Sequence, residues 1–593
     1  MPYRRKPPPP PPRLAETRRR LRVATVVALL LFSGIVVRLV HLQLQDAKGY
    51  AAQGLSERLT TVDLPASRGT IYDRDGAILA HSIEARYVFA DPTLVDDPVA
   101  TADTLFRVLG GVGVTRSELV TKLSRHKRDN GTPVRFEYLV RGVDIEVGAA
   151  VTGLKLAGIG VRRDERRDVP VRDVGANVIG FTRKGDHSGL AGVESSFDRV
   201  LRGVDGKRTF EIGDHDLARE IPGGYSQETA ARPGSSVQLT LDRDLQYEVQ
   251  DVLTTQMRAA QAIFACAVVL DVRTGETLAQ ASYPTYDAAA PLDTPAAQRV
   301  DACTQVVFDP GSTHKALVVG AALQEGVVKP DSTVVVGPTI TKGDTTYSDT
   351  HPQDPGTSMT LPGILALSSN VGTIKIADQL GKQKLYDYQR AFGLGSRTGI
   401  GLPNEAPGQL LPPSQWSGSS PGSIPIGDGV AATALQMTAA YAAIANDGLY
   451  IQPHLIKATV GPNGKVTTPP GPQIRRVLSA EHATELRTML EAVTALDSGT
   501  GGKAAIDGYR VSGKTGTGLF AQNGGYAPGN LASFIGMAPA DSPRHVIGVF
   551  AHVPTGAGGS VAAPAFRDMM AFTLGHFQVP PTGTPSPTFA VHA

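Results

Sequence analysis

Cysteine is nearly absent from this chain: Cys266 and Cys303 are the two examples in 593 residues. Two thiols cannot build a disulfide framework, which excludes the small, bridge-stapled scaffolds. Cys266 lies in the apolar run FACAVVL, a setting that points to a buried structural thiol, with pairing to Cys303 in an oxidising compartment as the alternative. Metal-ligand patterns are missing too. The 13 histidines are scattered, with no H-x-x-x-H pair and no Cys/His cluster at ligand spacing, so neither a metal nor another cofactor is called for. An excess of charge of one sign is also lacking, and a net charge of +2 with 19% charged residues gives no general case for nucleic acid as partner. No internal repeat is present, which removes the solenoid architectures.

What the chain does have is length, one long apolar segment and a locally basic start. At 593 residues it exceeds what one hydrophobic core can organise, so two or more domains are expected. Arg4, Arg5, Lys6, Arg13, Arg18, Arg19, Arg20 and Arg22 face a single acid, Glu16, and residues 7–12 are all proline. Directly after comes VATVVALLLFSGIVV, which, extended over 21–44 with Arg38 snorkelling, reaches the length of about 20 residues that a bilayer requires. No small-x-small cleavage site follows, so the segment reads as an uncleaved transmembrane helix rather than a signal peptide. The positive-inside bias puts the tail, residues 1–20, in the cytoplasm and the remainder outside the cell membrane.

Residues 45–230 alternate short apolar runs with charged turns, and none of these segments has the look of a long amphipathic helix, so a mainly β unit is expected. Its clearest element is RGTIYDRDGAILA, a hairpin around the turn DRDG; the Asp73-x-Asp75-Gly76 echo of a calcium loop lacks the further oxygen ligands. A second unit, 235–578, opens with strand signals in SVQLTLD and ACAVVLDVRTGETLAQAS. It continues with helical stretches KALVVGAALQEG, LPGILALSSNVGTIKIADQL and TALQMTAAYAAIANDG. Strands return in YRVSGKTGT, LASFIGMAP and HVIGVFAHV. That order describes an α+β domain, a helical cluster on a mostly antiparallel sheet whose strands come from both ends of the domain. Residues 579–593, Pro-rich, form a tail with too little apolar surface to fold alone.

The stretch GYRVSGKTGTG satisfies G-x-x-x-x-G-K-[ST] through Gly508, Gly513, Lys514 and Thr515, the form of a phosphate-binding loop. Such a loop must open a helix, and the sequel, broken by Gly516, Gly518, Gly524, Gly525, Pro528 and Gly529, cannot. The same Lys-Thr-Gly is also one wall of a serine acyl-transfer site, which requires a nucleophile with a base beside it. S-x-x-K supplies both on one helical face, and it occurs twice. Ser124 and Lys127 lie in the basic, polar LSRHKRDNG, where the lysine stays hydrated and protonated. Ser312 and Lys315 lie in DPGSTHKALVVGAALQEG, where the following helix is apolar nearly all round. Burial disfavours a charged lysine, so a neutral Lys315 is placed to take the proton of Ser312. Ser368 and Asn370, spaced S-x-N, offer a hydroxyl to relay a proton and an amide to hold a peptide backbone. Lys514 adds positive charge, Thr515 and Thr517 add hydroxyls for a carboxylate, and Gly516 lets backbone approach. The N–H groups of Ser312 and Thr517 can form an oxyanion hole. His314 lies about 200° round the helix from Ser312, which points to packing.

With DPGSTHK, SSN and GKTGTG in this order, and with RGTIYDRDGAILA, GLAGVESSFDRVLRGVDG, PGSSVQLTLDRDLQ and IGDGVAATALQMTAAYAAIANDG around them, the chain resembles the class B penicillin-binding proteins. These are the membrane-anchored D,D-transpeptidases of peptidoglycan synthesis. The resemblance implies a non-catalytic pedestal (45–230, the dimerisation-like domain) and a penicillin-binding transpeptidase domain of serine β-lactamase type (235–578). It also implies a donor stem peptide ending in D-Ala-D-Ala, β-lactams as acylating mimics of it, and a SEDS-type glycosyltransferase among divisome partners. Size and the lack of an appended repeat look like the division-specific FtsI type, at the septum. The elongation-specific relatives share every catalytic motif, and a β-lactam hydrolase or sensor shares two of them without needing the pedestal.

Overall fold

The computed structural model describes residues 5–10, 17–45, 47–213, 217, 220–522 and 525–593. Arg4, residues 11–13, Glu16 and Gly524, named above, lie outside these. A helix over Thr17–Val40 runs on through a wider turn, His41–Gln45. Its span Thr17–Gln43 is long and apolar enough to cross a membrane, and its apolar side chains are bare, Leu30 being 67% and Phe32 68% exposed.

The hairpin is present as strands Ile71–Tyr72 and Ile78–Ala90. Asp73 fixes its turn by accepting from the N–H groups of Asp75 (2.9 Å) and Ala77 (2.7 Å), a structural role for its carboxylate. The pedestal is not mainly β. Helices Pro98–Leu109, Arg116–Leu123 and Ile145–Gly153 pack on the sheet formed by Ile78–Ala90, Glu137–Val143 and Ile159–Asp168. The first helix begins where Asp97 accepts from Val99 and Ala100 N–H with Pro98 at its opening position, and it buries Ala102, Leu105 and Leu109 at 3–4 spacing. Its other positions mix Val99, Phe106 and Val108 with Thr, Asp and Arg, and the exposed Val99 and Phe106 blur the apolar face in the sequence.

The boundary between the two units is not a linker. Strand Ser236–Leu239 pairs in parallel with Ile71–Tyr72 of the pedestal and antiparallel with Ile456–Val460 of the second unit, making one sheet across the junction. Gly69 permits this, since a Cβ there would lie 2.0 Å from the Ser235 carbonyl oxygen. Beneath the junction Arg68 donates to Glu194 (2.6 Å) and Asp198 (2.7 Å), and Arg167 shares Glu194 from the other side at 2.6 Å.

The second unit has a five-stranded antiparallel sheet in the order Thr277–Tyr283, Phe264–Asp271, His545–Val553, Asn530–Ala538, Ser512–Gly518. Alternate residues of its second strand, Phe264–Asp271, face opposite layers. Ala265, Ala267 and Val269 pack with helices Arg243–Ala259 and Gly558–His576, whereas Cys266, Val268 and Leu270 join the helical cluster of Lys315–Gln324, Ala434–Ala445 and Ala480–Ala495. Two of these helices, Ala480–Ala495 and Gly558–His576, carry no signal read from the sequence; the latter is rich in glycine and alanine and contains Pro564.

Cys266 is not a free thiol. It is bonded to Cys303, tying strand Phe264–Asp271 to the short helix Ala302–Gln305 that precedes the nucleophile segment. A strand end and a helix start meet there, a proximity invisible in a separation of 37 residues. The Pro-rich tail is also ordered against the domain, because it borrows the apolar surface it lacks: Val591 packs on the main core.

Candidate active site

Gly311–His314 form a single tight helical turn that passes without a break into helix Lys315–Gln324. Ser312 thus stands at the helix entrance, half-buried, with Lys315 one turn on and fully buried. Three contacts hold the turn. Gly311 N–H donates to the Gly427 carbonyl at 3.2 Å, the Tyr441 hydroxyl donates to the Thr313 carbonyl at 2.6 Å, and the Gly311 backbone, φ +54°, lies so close to Thr517 that a Cβ would sit 2.6 Å from its carbonyl oxygen. This last approach brings the edge strand Ser512–Gly518 alongside the nucleophile turn. Gly516 is required for the same reason, since a Cβ there would meet Thr313 and the Pro310 carbonyl at 2.9 and 3.0 Å.

The S-x-N pair comes from a break between helices Leu361–Ala366 and Asn370–Leu380. Ser368 occupies it with φ +57°, and Ser369 caps the second helix by accepting from Gly372 N–H at 2.9 Å. Asp349 secures the same helix start, accepting from Asn370 N–H at 2.5 Å, Val371 N–H at 2.9 Å and the Ser369 hydroxyl at 2.6 Å.

All three motifs converge on one hydroxyl. Lys315 Nζ donates to the Ser368 carbonyl (2.5 Å), to Ser368 Oγ (3.2 Å) and to Asn370 Oδ1 (2.6 Å). Lys514 Nζ reaches Ser368 Oγ at 3.0 Å from the opposite side and also donates to the Thr515 carbonyl at 3.0 Å. Thr515 Oγ1 is oriented by Thr500 Oγ1 at 2.7 Å, and Thr517 is exposed on the cleft. Burial lowers the Lys315 ammonium to about 7, against the pull of the Asp349 and Asp428 carboxylates. Burial, and then the neighbouring Lys315 charge, hold Lys514 well below the ordinary lysine range. Asp428 in turn is pushed up to about 6 by burial and by Asp309.

The structure brings together every residue singled out in the sequence: Ser312, Lys315, Ser368, Asn370, Lys514, Thr515, Gly516 and Thr517. It leaves the other Ser-x-x-Lys pair aside, with Lys127 exposed in a loop and Ser124 bonded to the Val120 carbonyl at 2.7 Å. His314 is fully buried and turned from the cleft, its Nδ1–H toward the Pro425 carbonyl at 3.2 Å and Nε2 facing the Gln389 amide at 2.9 Å. Asp349, Thr500 and Tyr441 complete the arrangement. None belongs to a local pattern, and their roles come from tertiary proximity alone.

A serine and a buried lysine one turn apart at one helix entrance, a hydroxyl shared by two lysines and a strand of small residues beside them make an arrangement suited to acyl transfer. A family model described as the penicillin binding protein transpeptidase domain matches residues 265–571, and one described as the penicillin-binding protein dimerisation domain matches 63–239. The chain belongs to the class B penicillin-binding proteins. Among its relatives are the penicillin-binding protein PbpB of Mycolicibacterium smegmatis, 36% identical over 97% of this chain and 93% of that one, and the peptidoglycan D,D-transpeptidase FtsI of Escherichia coli, 32% identical over 93% and 91%. The crystal structure of penicillin binding protein 3 from Mycobacterium tuberculosis with aztreonam superposes with a TM-score of 0.69 at 32% identity, covering 90% of this chain and all of that one. As a class B penicillin-binding protein, the chain carries the dimerisation and transpeptidase domains, and the junction sheet described above joins them.

Proposed function

We propose that this class B penicillin-binding protein is a serine D,D-transpeptidase that cross-links peptidoglycan stem peptides. Neutral Lys315 takes the proton of Ser312 as its Oγ attacks the penultimate D-Ala carbonyl of the donor peptide. The oxyanion forms toward the backbone N–H groups of Ser312 and Thr517. When the C–N bond breaks, terminal D-Ala leaves as an amine and takes a proton relayed through Ser368 Oγ from the lysine pair. An acceptor amine then attacks the ester and frees Ser312. Thr515, Thr517 and Lys514, whose ammonium form the incoming carboxylate favours, receive the terminal carboxylate of the donor, Gly516 makes room for its backbone, and Asn370 holds its amide. β-Lactams acylate the same serine.

The observation that carries this reading is the sharing of Ser368 Oγ by Lys315 and Lys514, at 3.2 and 3.0 Å. The likeness to PbpB and FtsI supports a septal role in cell division, with the apolar helix Thr17–Gln43 as a single-pass membrane anchor, the N-terminus cytoplasmic, and a SEDS-type glycosyltransferase and other divisome proteins as partners. Labelling with a fluorescent penicillin tests the chemistry: the intact chain retains the label and Ser312→Ala takes none. Rapid loss of label from the intact chain indicates a hydrolase instead, and an unlabelled intact chain refutes the reading.

A further inference from the structure

Two walls of the cleft belong to different parts of the transpeptidase domain. Lys514 and the threonines sit on the edge strand of the sheet, whereas Ser368 and Asn370 sit in the helical cluster. The segment 579–593 touches both. At its start the Val579 carbonyl accepts from the Tyr509 hydroxyl at 2.6 Å, Thr582 N–H donates to the Gly508 carbonyl at 2.9 Å, and Thr582 Oγ1 accepts from Arg510 N–H at 3.2 Å. These residues lead directly into the Lys514 strand. At its far end the segment lies antiparallel to strand Thr357–Thr360, with Met359 opposite His592, and the Val591 carbonyl accepts from Thr360 N–H at 3.1 Å. Ala593 N–H donates to the Ser358 carbonyl at 3.0 Å, and the Thr360 hydroxyl donates to the Ala590 carbonyl at 2.6 Å.

Thr360 is the cap of the helix that ends at the catalytic break. Its Oγ1 accepts from Gly363 N–H at 3.0 Å, the Gly363 carbonyl accepts from Leu367 N–H at 3.0 Å, and Ser368 follows, its carbonyl on Lys315. Gly363 is the point of closest approach, since a Cβ there would stand 2.2 Å from the Val591 carbonyl oxygen. A second route joins the same helix to the other wall, because the Ala366 carbonyl accepts from Thr500 N–H at 3.1 Å and Thr500 orients Thr515.

We infer that residues 579–593 are a strap that ties the edge strand to the Thr360-capped helix and so positions the Ser368–Asn370 turn against Lys315. The inference rests on the transpeptidase reading for its kinetic consequence, but the strap itself is read independently. The hydroxyl and carbonyl of Ser368 are useful to Lys315 only at hydrogen-bond distance, and the six-residue helix Leu361–Ala366, although Leu361, Ile364 and Leu365 are buried in the core, is too short to fix its ends by its own hydrogen bonds. The Thr360 cap and the backbone bonds of the strap supply the rest.

The test uses the full membrane-anchored chain lacking residues 586–593 and, as a second disruption without truncation, Gly363→Ala, whose methyl group must displace Val591. Both variants are expected to show faster amide hydrogen exchange over 361–370 and acylation by fluorescent penicillin slowed about tenfold or more, the scale of an ångström-sized misplacement. The acid limb of their acylation rate moves to lower pH, because Lys315 loses acceptors that favour its charged form. Thr360→Ser, which keeps the cap and the strap bond, acylates as the intact chain does. If both variants lose thermal stability while rate, pH limb and exchange over 361–370 stay at their original values, the strap is a brace and the inference is wrong. If the intact chain does not acylate, the transpeptidase reading fails, and unchanged exchange over 361–370 still decides against the strap.

Discussion

Ser368 presents its carbonyl oxygen to Lys315 Nζ at 2.5 Å only because its backbone is left-handed, φ +57°. A right-handed residue at this break would carry the helix onward and turn that carbonyl along its axis. The strained conformation costs an L-residue about 1 kcal/mol or more, and it is held by what packs around it. The hydroxyl and the backbone are therefore separable by mutation. Ser368→Gly keeps the backbone at lower cost and removes the hydroxyl; Ser368→Ala removes the hydroxyl and keeps the strain. Both should slow acylation about 100-fold, the contribution of one positioned proton relay, while the glycine variant melts no lower than the alanine one. Equal acylation by the serine and glycine forms in a stopped-flow penicillin assay would show that the hydroxyl takes no part.

The lowered Lys315 sets the pH dependence. A base that must be neutral to act, with its ammonium at about 7, gives an acylation rate that climbs through neutrality and levels off above it. The second-order acylation constant should be about tenfold lower at pH 6 than on the plateau near pH 8, because it follows the neutral fraction of the free enzyme's base. A rate still rising steadily at pH 9 would mean that the base keeps its proton well above neutrality, against a lowered Lys315.

The candidate catalytic residues were legible because each motif is local, two or three side chains at fixed offsets on one element, and because the elements around them punctuate strongly with Gly and Pro. Ser312 with Lys315 needed only the helical period, and Lys514-Thr515-Gly516 only a strand of small residues. What holds them was not legible. Asp349, Thr500 and Tyr441 act across separations of many residues and sit in no pattern. The helix Pro98–Leu109 was missed because exposed Val99 and Phe106 blur its apolar face, and Gly558–His576 because its glycines, alanines and Pro564 give a weak helical signal. The tail's docking was not legible for a different reason: its poverty in apolar residues is real, and the domain it lies on supplies the missing surface.

Cys266 and Cys303 illustrate the same limit and yield a measurable consequence. Their bond closes a loop spanning 37 positions, and closure of a loop of that size stabilises a fold by about 2–4 kcal/mol. The double variant Cys266→Ala/Cys303→Ala should melt several degrees lower than the oxidised chain and should become insensitive to reductant. Since the bond tethers Ala302–Gln305 and not the turn that bears Ser312, acylation at 25 °C should change less than threefold. A large loss of acylation with an unchanged melting temperature would place the bond's effect in the site instead.

His314 is one residue before the base, yet its chemistry belongs to folding. Sealed under the nucleophile turn, with the Gln389 amide on one nitrogen and the Pro425 carbonyl on the other, the imidazole is lowered to about 4 by burial. Unfolded, it returns to about 6.5. Between those two values the unfolded chain binds more protons than the folded one, so stability rises with pH across the window and is flat above it. At pH 5 the deficit from this one residue is about 2 kcal/mol, at 1.36 kcal/mol for each pH unit below 6.5. His545, likewise buried and lowered, acts in the same direction and keeps part of the slope in any variant of His314. His314→Gln cannot titrate. Its melting temperature should therefore fall less than that of the intact chain between pH 7 and pH 5, although it starts lower at pH 7. Parallel losses in the two proteins would show that His314 keeps its solution protonation behaviour and is reached by water.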